Sequence, residues 1–286
     1  MGSPMLSDKL ELFLATFQAA DPSLQQWCIN AMNGTSAGAS QHGQDVFIWR
    51  NLFLNDAIRG QKGYYIDSGA NHYKKLSNTY FFDKCLGWDG ICIEVNPVYH
   101  ANHRAHRSCT LIPQCISDKP TNRSFIFDGE GGHVNGDGVH VTKDDKVSKR
   151  ASIVQCNPLH EMLAMANAPP KVDLWSLDVE GHEIVILSSI NWQRVRLKAL
   201  LVEDFWLSNR NLDHLLTRQA FLKAHQLAID SLWISSRATD LLPAGGRFWY
   251  PPGWHKLWSE TEKFRATVRE QTVRGVAFAH LAEDLR

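Results

Sequence analysis

Short, almost wholly apolar runs alternate along the chain with stretches whose apolar residues recur at helical spacing. Strands that are apolar on both faces and separated by helices are typical of a parallel sheet covered on both sides. The pattern therefore predicts an α/β fold with a doubly wound, mostly parallel sheet. The predicted strands cover residues 63–67, 90–94, 110–116, 172–177 and 199–203.

The two ends of the chain differ from this central pattern. Residues 6–33 read as helices with apolar faces, broken at Asp21-Pro22, and a Gly/Ser-rich link follows. After Arg237 an aromatic segment precedes a charged helical tail. We therefore expect an N-terminal helical cover (1–39), a central α/β domain (40–236), and an aromatic loop with a helical C-terminal appendage (237–286).

One segment inside the central domain is rich in glycine and aspartate. It spans residues 128–138 and follows a short apolar run, 124–127, that is a candidate extra strand. Its acids do not fit the spacing of a calcium-binding loop, which needs a glutamate at the twelfth position. We expect a surface turn or hairpin, with a substrate-contacting loop as the alternative.

Charge and composition narrow the class of protein. Thirty basic and thirty acidic side chains are scattered along the chain, which argues against a basic face for nucleic acid. No apolar stretch approaches the roughly 18 residues of a membrane span. The start, Met1 to Pro4 before Met5, resembles a cloning remnant, so a targeting segment could have been removed. We expect a cytoplasmic protein whose six cysteines, which form no Cys-x-x-Cys pair, are buried reduced thiols.

Two predicted strands end in acids and a glycine directly before a helix. The first end reads Asp67-Ser68-Gly69-Ala70-Asn71, and the second reads Asp178-Val179-Glu180-Gly181-His182. In open α/β sheets, ligands bind in the crevice at the carboxyl ends of the strands. Two such ends in one chain predict a cofactor pocket.

Several separate blocks resemble the FkbM-type methyltransferase family. The blocks lie at 40–45, 66–71, 76–79, 86–97 and 176–183, and they agree in order and spacing over roughly residues 40–235. Residues 154–159 resemble the eukaryotic branch of the family. The resemblance implies a class I methyltransferase fold, Rossmann-like in topology. It also implies an S-adenosylmethionine (SAM)-dependent enzyme that methylates a hydroxyl of a carbohydrate or another small acceptor.

The chemistry of SAM agrees with the residues at these strand ends. Asp67, Gly69 and Asn71 suit its methionine end, because a glycine lets the backbone approach closely. A carboxylate accepts hydrogen bonds from both ribose hydroxyls, so Glu94 suits the ribose, with Asn96 beside it. Each of the acids has an alternative role as a helix cap or turn residue. The resemblance adds Gln41, Gln44, Ala70, Ser77, Ser117 (near the adenine) and Asp178 to the expected cofactor site.

Methyl transfer to an alcohol needs a base that takes the acceptor proton. We expect His182 or Glu180 to be that base and Asp178 to orient the cofactor or the acceptor. The alternative for His182 is an ordinary residue at a helix start. No metal site is required, although a divalent ion at Asp178, Glu203 or Asp204 is compatible with hydroxyl chemistry. His100, His103 and His106, spaced by three, are expected on a solvated helix face rather than at a metal.

Two other functions stay open. His72-Tyr73 stands where the family more often has Asp-Gly, which motivates a non-catalytic cofactor-binding or interaction module of the same fold. An oxidoreductase with a nicotinamide cofactor would use the same fold, but the G-x-G-x-x-G fingerprint is missing. The expected partner is a small-molecule or glycan acceptor, and the residues indicate no oligomeric state.

Overall fold

A computed structural model describes residues 4–19, 21–36, 38–128, 131–134, 151–204, 209–243 and 247–250. The segments expected to form the C-terminal helical tail and most of the Gly/Asp-rich stretch lie outside these ranges. The aromatic segment is described only as far as Tyr250.

A mostly parallel sheet is the centre of the described fold. The predicted strands near 64, 90, 172 and 199 are all present in it. Two further strands close one edge, and the inner strand of the two runs antiparallel to both of its neighbours. The described strands of this sheet are β1 (Tyr64–Ser68), β2 (Asp89–Ile93), β3 (Thr110–Ile112), β8 (Lys171–Leu177), β9 (Arg196–Glu203), β10 (Phe221–Leu227) and β11 (Asp230–Ser235), in the order β3-β2-β1-β8-β9-β11-β10.

Both faces of the sheet are buried, as the continuous apolar runs predict. Tyr65 points into one core and Ile66 into the other, because successive side chains of a strand alternate between faces. Helices from the first ninety residues pack on the first face, and the helices after residue 158 pack on the second. The described α-helices are α1 (Pro4–Thr16), α2 (Pro22–Met32), α3 (Gln44–Ile48), α4 (Leu54–Ile58), α5 (Tyr80–Leu86), α6 (Pro97–His106), α7 (Leu159–Met165), α8 (Glu183–Ser189) and α9 (Asn209–Arg218), with a π-helical turn at Trp49–Phe53 and a 3₁₀ turn at Thr239–Leu241.

The N-terminal helices divide where the sequence predicts. Asp21 caps α2 by accepting a hydrogen bond from the backbone N–H of Leu24 (2.8 Å), and Pro22 occupies the first turn. Cys28, Ala31 and Met32 of α2 lie in the core of the first face. Helix α2 is therefore anchored on the domain by buried side chains.

A second, smaller sheet was not predicted. The expected strand 110–116 is broken at Pro113-Gln114, so only 110–112 joins the main sheet. Within the described residues the second sheet has the strand order β4-β7-β5-β6, built from β4 (Cys115–Ile116), β5 (Thr121–Asp128), β6 (Gly131–Val134) and β7 (Ala151–Asn157). The candidate strand at 124–127 is the core of β5. Its pairing with β6 agrees with the predicted hairpin over the part of 128–138 that is described.

The prediction of reduced thiols is wrong. All six cysteines lie in the described residues and form three disulfides: Cys28–Cys85, Cys92–Cys109 and Cys115–Cys156. Their Cα–Cα distances are 5.5, 5.8 and 4.3 Å. The bonded partners are 57, 17 and 41 positions apart, so no local spacing pattern reveals the pairing.

Candidate functional site

The carboxyl ends of four adjacent strands lie at one edge of the main sheet. Ser68, at the end of β1, pairs with Ile93 of β2 on one side and with Leu177 of β8 on the other. Leu177 in turn pairs with Val202 of β9. The strand order reverses between β1 and β8, and such a switch point is where open α/β sheets bind ligands. The two predicted strand ends therefore meet at the expected crevice.

Gly69 brings the loops after β1 and β8 together. Its φ is +75°, and a Cβ at this position would overlap the backbone carbonyl oxygen of Asp178. The N–H of Asp178 donates to the carbonyl of Ser68 (3.0 Å), and the N–H of Gly69 donates to the carbonyl of Ile93 (3.1 Å). Only glycine fits this combination of left-handed backbone and close approach.

Glu94 is a buried acid that organises the turn after β1. Its Oε2 accepts from the backbone N–H of Asn71 (2.7 Å), and its Oε1 accepts from that of Asn96 (2.6 Å). Glu94 is 6% exposed, and this burial raises its pKa. Asn96 itself caps α6 through Val98 N–H (3.2 Å). The structure thus joins Asn71, Glu94 and Asn96 in one cluster at the sheet edge.

Asp67 and Ser77 belong to a buried network around Arg107. Asp67 accepts a short hydrogen bond from Thr79 and lies 3.7 Å from an Arg107 nitrogen. Ser77 Oγ accepts from Arg107 (3.3 Å) and from the backbone N–H of Tyr80 (3.1 Å). Both predicted cofactor residues therefore make buried contacts within the protein, and their role at a cofactor stays a prediction.

Arg107 is the central residue that sequence reasoning missed. Its side chain is fully buried, and its Nε donates to Asp83 (2.6 Å) while a terminal nitrogen donates to Tyr65 Oη (3.1 Å). Charge-assisted hydrogen bonds of this kind hold a buried guanidinium in place. Asp83 and Tyr65 lie 24 and 42 residues before Arg107, and the sequence around Arg107 carries no signal of either partner.

The expectation of a solvated histidine face is wrong for His103. That residue is 1% exposed, and its Nε2 donates to the carbonyl of Asn71 (2.8 Å). Cys92 and Cys109 lie near His103, but their disulfide leaves no thiolate for a metal. His100 donates to the carbonyl of Glu94 (2.9 Å), so two of the three histidines support the turn that holds Asn71 and Glu94.

His72-Tyr73, the departure from the family pattern, has a structural explanation. Nδ1 of His72 accepts hydrogen bonds from the backbone N–H groups of Lys74 (3.1 Å) and Lys75 (3.0 Å). An aspartate carboxylate accepts the same kind of hydrogen bond in a turn. The His72 ring stacks on Tyr73 at 4.6 Å, and Tyr73 lies 4.6 Å from the ring of His106. The turn after Asn71 is therefore ordered without the usual Asp-Gly.

The loop after β8 carries the predicted catalytic residues. Asp178 is half-buried, Glu180 is exposed with a φ of 54°, and His182 is buried where α8 begins. Glu183, which sequence reasoning did not single out, accepts from the N–H groups of Val179 (2.9 Å) and Gly181 (3.2 Å) and so fixes the loop.

An acidic cluster forms where this loop meets the end of β9. Burial, reinforced by the repulsion of neighbouring carboxylates, raises the pKa of Asp178 and that of Glu203 well above their ordinary values. Glu180, Glu183 and Asp230 add to the repulsion. The sequence gives no sign that these five acids lie near one another: Asp178, Glu180, Glu183, Glu203 and Asp230.

Gln44 links the N-terminal segment to the same edge. It is 2% exposed, accepts from the N–H of His42 (2.8 Å), and donates to Asp230 (2.5 Å), which pairs in register with Glu203. Gln41, by contrast, is exposed. The structure therefore brings Gln44, but not Gln41, into contact with the acidic cluster.

Ser117 lies after β4 in the second sheet, not at the end of a main-sheet strand. Its N–H donates to the carbonyl of Asn157 (3.0 Å), and its hydroxyl donates to that of Lys119 (2.6 Å). Between this sheet and the residues that follow Glu94 lies an open cleft of about 220 Å³, whose lining includes Val95, Pro97, Pro113, Phe127 and Val154.

The described fold is an α/β fold that brings several of the predicted site residues to the switch point of its main sheet. A profile of the methyltransferase FkbM domain matches residues 67–227, more than half of the chain, so the chain belongs to the FkbM methyltransferase family. The family prediction is confirmed. No curated protein and no solved structure matched the chain. None of the helices in the described ranges combines the length and apolar character that crossing a bilayer requires.

Proposed function

We propose that this protein is a SAM-dependent O-methyltransferase that acts on a hydroxyl of a carbohydrate or another small hydroxylated acceptor. The observation that supports this most directly is the meeting of the Gly69 turn, Glu94 and Asp178 at one switch point, in a member of a methyltransferase family.

The residues at the crevice suit an adenosyl cofactor. A carboxylate has about four acceptor positions. Glu94 accepts from the backbone N–H groups of Asn71 and Asn96, and its remaining acceptor capacity suits a ribose hydroxyl. The backbone turn at Gly69 allows the close approach that the methionine end needs. The wider set of predicted cofactor residues (Gln41, Gln44, Asp67, Ala70, Asn71, Ser77, Asn96, Ser117 and Asp178) remains part of the proposal.

The loop after β8 suits the transfer step. When bound, SAM supplies an electrophilic methyl group on a positively charged sulfur. The acceptor hydroxyl becomes a good nucleophile only as its proton leaves, and His182 or Glu180 would take that proton. Asp178 would orient the acceptor, since alignment supplies much of the acceleration in a displacement reaction.

A non-catalytic module of the same fold is the competing proposal. Its motivation was His72-Tyr73, and the two hydrogen bonds accepted by His72 weaken that motivation. The nicotinamide-dependent alternative lacks the glycine fingerprint.

Binding calorimetry separates the cofactors. We expect SAM to bind and NAD not to bind. Glu94→Gln should weaken SAM binding by about tenfold to a hundredfold, since hydrogen bonds to a charged acceptor are worth about 1.5–3 kcal/mol. Glu161→Gln, an exposed position on α7, is the matched control and should bind SAM normally. Binding of NAD but not SAM would refute the proposal.

Turnover separates enzyme from module. Formation of S-adenosylhomocysteine is measured against a panel of hydroxylated acceptors with the parent chain, His182→Ala and Asp178→Asn. We expect turnover in the parent and its loss in at least one variant. Tight SAM binding without turnover on any acceptor would instead support the non-catalytic module.

We also propose an oxidising compartment in place of the expected cytoplasm. Disulfides persist where the environment is oxidising and are rare in reducing cytosol, and here they join all six cysteines. Alkylation of protein isolated from its native source, without reductant, tests this: six unlabelled cysteines support the proposal, and six labelled cysteines contradict it.

A further inference from the structure

Three carboxylates from three separate segments meet beside the switch point. Asp178 directly follows β8, Glu203 ends the neighbouring strand β9, and Glu183 is the first residue of α8. One carboxylate oxygen from each lies within 4.8 Å of the others. Asp178 and Glu203 are partly exposed as residues, and Glu183 is buried.

Other acids engage the lysine on strand β10. Lys223 pairs with Asp204 (3.9 Å) and Asp213 (3.6 Å). Glu180 and Asp230 bring further negative charge to the three carboxylates. Carboxylates held this close repel one another unless a proton or a cation lies between them.

Glu183 adds a second, independent observation. Its side chain is buried, with the residue 1% exposed, and its Oε1 is committed to the N–H groups of Val179 and Gly181. Its Oε2 is also buried and has no hydrogen-bond partner. A buried carboxylate oxygen without a partner is costly, so this atom is suited to a ligand that the protein itself does not supply.

We propose that Asp178, Glu183 and Glu203 bind one divalent hard cation such as Mg²⁺ or Mn²⁺. Carboxylate oxygens are the ligands that these ions prefer. Oxygens on opposite sides of one ion, at bond lengths of about 2.1–2.4 Å, lie about 4.2–4.8 Å apart. Three carboxylate oxygens that all lie within 4.8 Å of one another are therefore close enough to share a single ion.

The role of the ion rests on the proposed function. Three protein ligands leave coordination positions for water or for the acceptor hydroxyl. An acceptor oxygen bound there would lose its proton more easily, because a cation stabilises the alkoxide, and the proton would pass to His182 or Glu180. The oxygen then forms its bond to the methyl carbon as the carbon–sulfur bond of SAM breaks.

Manganese binding tests the site without any turnover. The full chain, freed of metal by chelation, is titrated with Mn²⁺ while free Mn²⁺ is followed by electron paramagnetic resonance. We expect one Mn²⁺ per chain, competition by Mg²⁺, and binding weakened about tenfold or more in Glu183→Gln and in Asp178→Asn. Glu161→Gln should bind Mn²⁺ like the parent chain, and circular dichroism confirms that each variant is folded.

The site and the proposed activity can fail separately. Absence of Mn²⁺ binding at millimolar concentration, or equal binding by the parent chain and by a folded Glu183→Gln variant, would overturn the metal site. SAM binding and turnover that persist in excess chelator would leave the methyltransferase intact and remove the ion from its mechanism. Stoichiometric Mn²⁺ binding that Glu183→Gln abolishes would support the site even if SAM failed to bind.

Discussion

The Cys28–Cys85 disulfide should contribute a large part of the stability of this protein. It joins α2 to α5, where Trp27 also packs edge-on against Tyr80 at 5.4 Å. Both cysteines are buried. Helix α5 begins directly after Thr79, which binds Asp67, so the disulfide ties the N-terminal helices to a segment next to the candidate site.

The size of the effect follows from the loop that the bond closes. A cross-link stabilises mainly by restricting the unfolded chain, and the restriction grows with loop length. For the separation of 57 residues the loop entropy corresponds to about 4 kcal/mol. For Cys92–Cys109, separated by 17 residues, it corresponds to about 3 kcal/mol. The two bonds should therefore differ by about 1 kcal/mol through loop length alone.

Urea unfolding of two double variants measures these contributions. Cys28→Ala with Cys85→Ala should lose about 4 kcal/mol of unfolding free energy, which lowers the midpoint by roughly 1 M or more. Cys92→Ala with Cys109→Ala is the control and should lose about 1 kcal/mol less. Under reducing conditions the parent chain and the first variant should unfold at the same urea concentration, because both then lack the bond.

Equal midpoints for the parent chain and the Cys28/Cys85 variant without reductant would refute this reasoning. Labelling of Cys28 and Cys85 by an alkylating agent, in denaturant without reductant, would refute it independently. Either result would restore the expectation of reduced thiols and would remove the argument for an oxidising compartment.

Three further results are expected. Gly69→Ala should abolish measurable SAM binding in calorimetry, because the new Cβ would meet the Asp178 carbonyl at a φ of +75°, and unchanged affinity would refute the close approach. Arg107→Leu should lose about 3–5 kcal/mol in urea unfolding, since it removes the buried cation that Asp67 and Asp83 share, whereas Arg104→Leu on the exposed side of α6 should be close to neutral. Burial raises the pKa of Asp45 from 3.8 to about 6, so the folded state binds this proton more tightly and stability should fall as pH rises from about 4 to about 6. Between about pH 4 and pH 6 the unfolding free energy of the parent chain should fall by about 3 kcal/mol more than that of Asp45→Asn. Unfolding free energies of the two proteins that change in parallel with pH would contradict the raised pKa.

The elements that the sequence predicts well are those fixed by local pattern. Continuous apolar runs predict β1, β2, β8 and β9 to within a few residues, because a strand buried on both faces is apolar over most of its length. The break at Pro113-Gln114 lies inside one such run, and the sequence there does not show that the chain leaves one sheet for another. The residues of a segment can thus predict that it forms a strand, whereas the sheet that it joins depends on the strands with which it pairs.

The features that sequence reasoning misses are those made by distant residues. His103 has the spacing of a solvated helix face, and its burial follows from Asn71, whose carbonyl it binds from 32 residues away. Arg107 looks like a surface residue after a polar helix, yet it is the partner of Asp67 and Asp83. Cysteine pairing has the same character, because the two sulfurs of each bond lie on different elements.

The acidic cluster shows how topology creates chemistry that no segment carries alone. Parallel strands deliver Asp178 and Glu203 to one edge because their carboxyl ends coincide. Strand β11 runs the other way, so its first residue, Asp230, arrives at that edge opposite Glu203. An all-parallel sheet would have placed the start of that strand at the far edge. The antiparallel strand therefore adds a carboxylate, Asp230, to the edge where Gln44 binds it and where the proposed cation would lie.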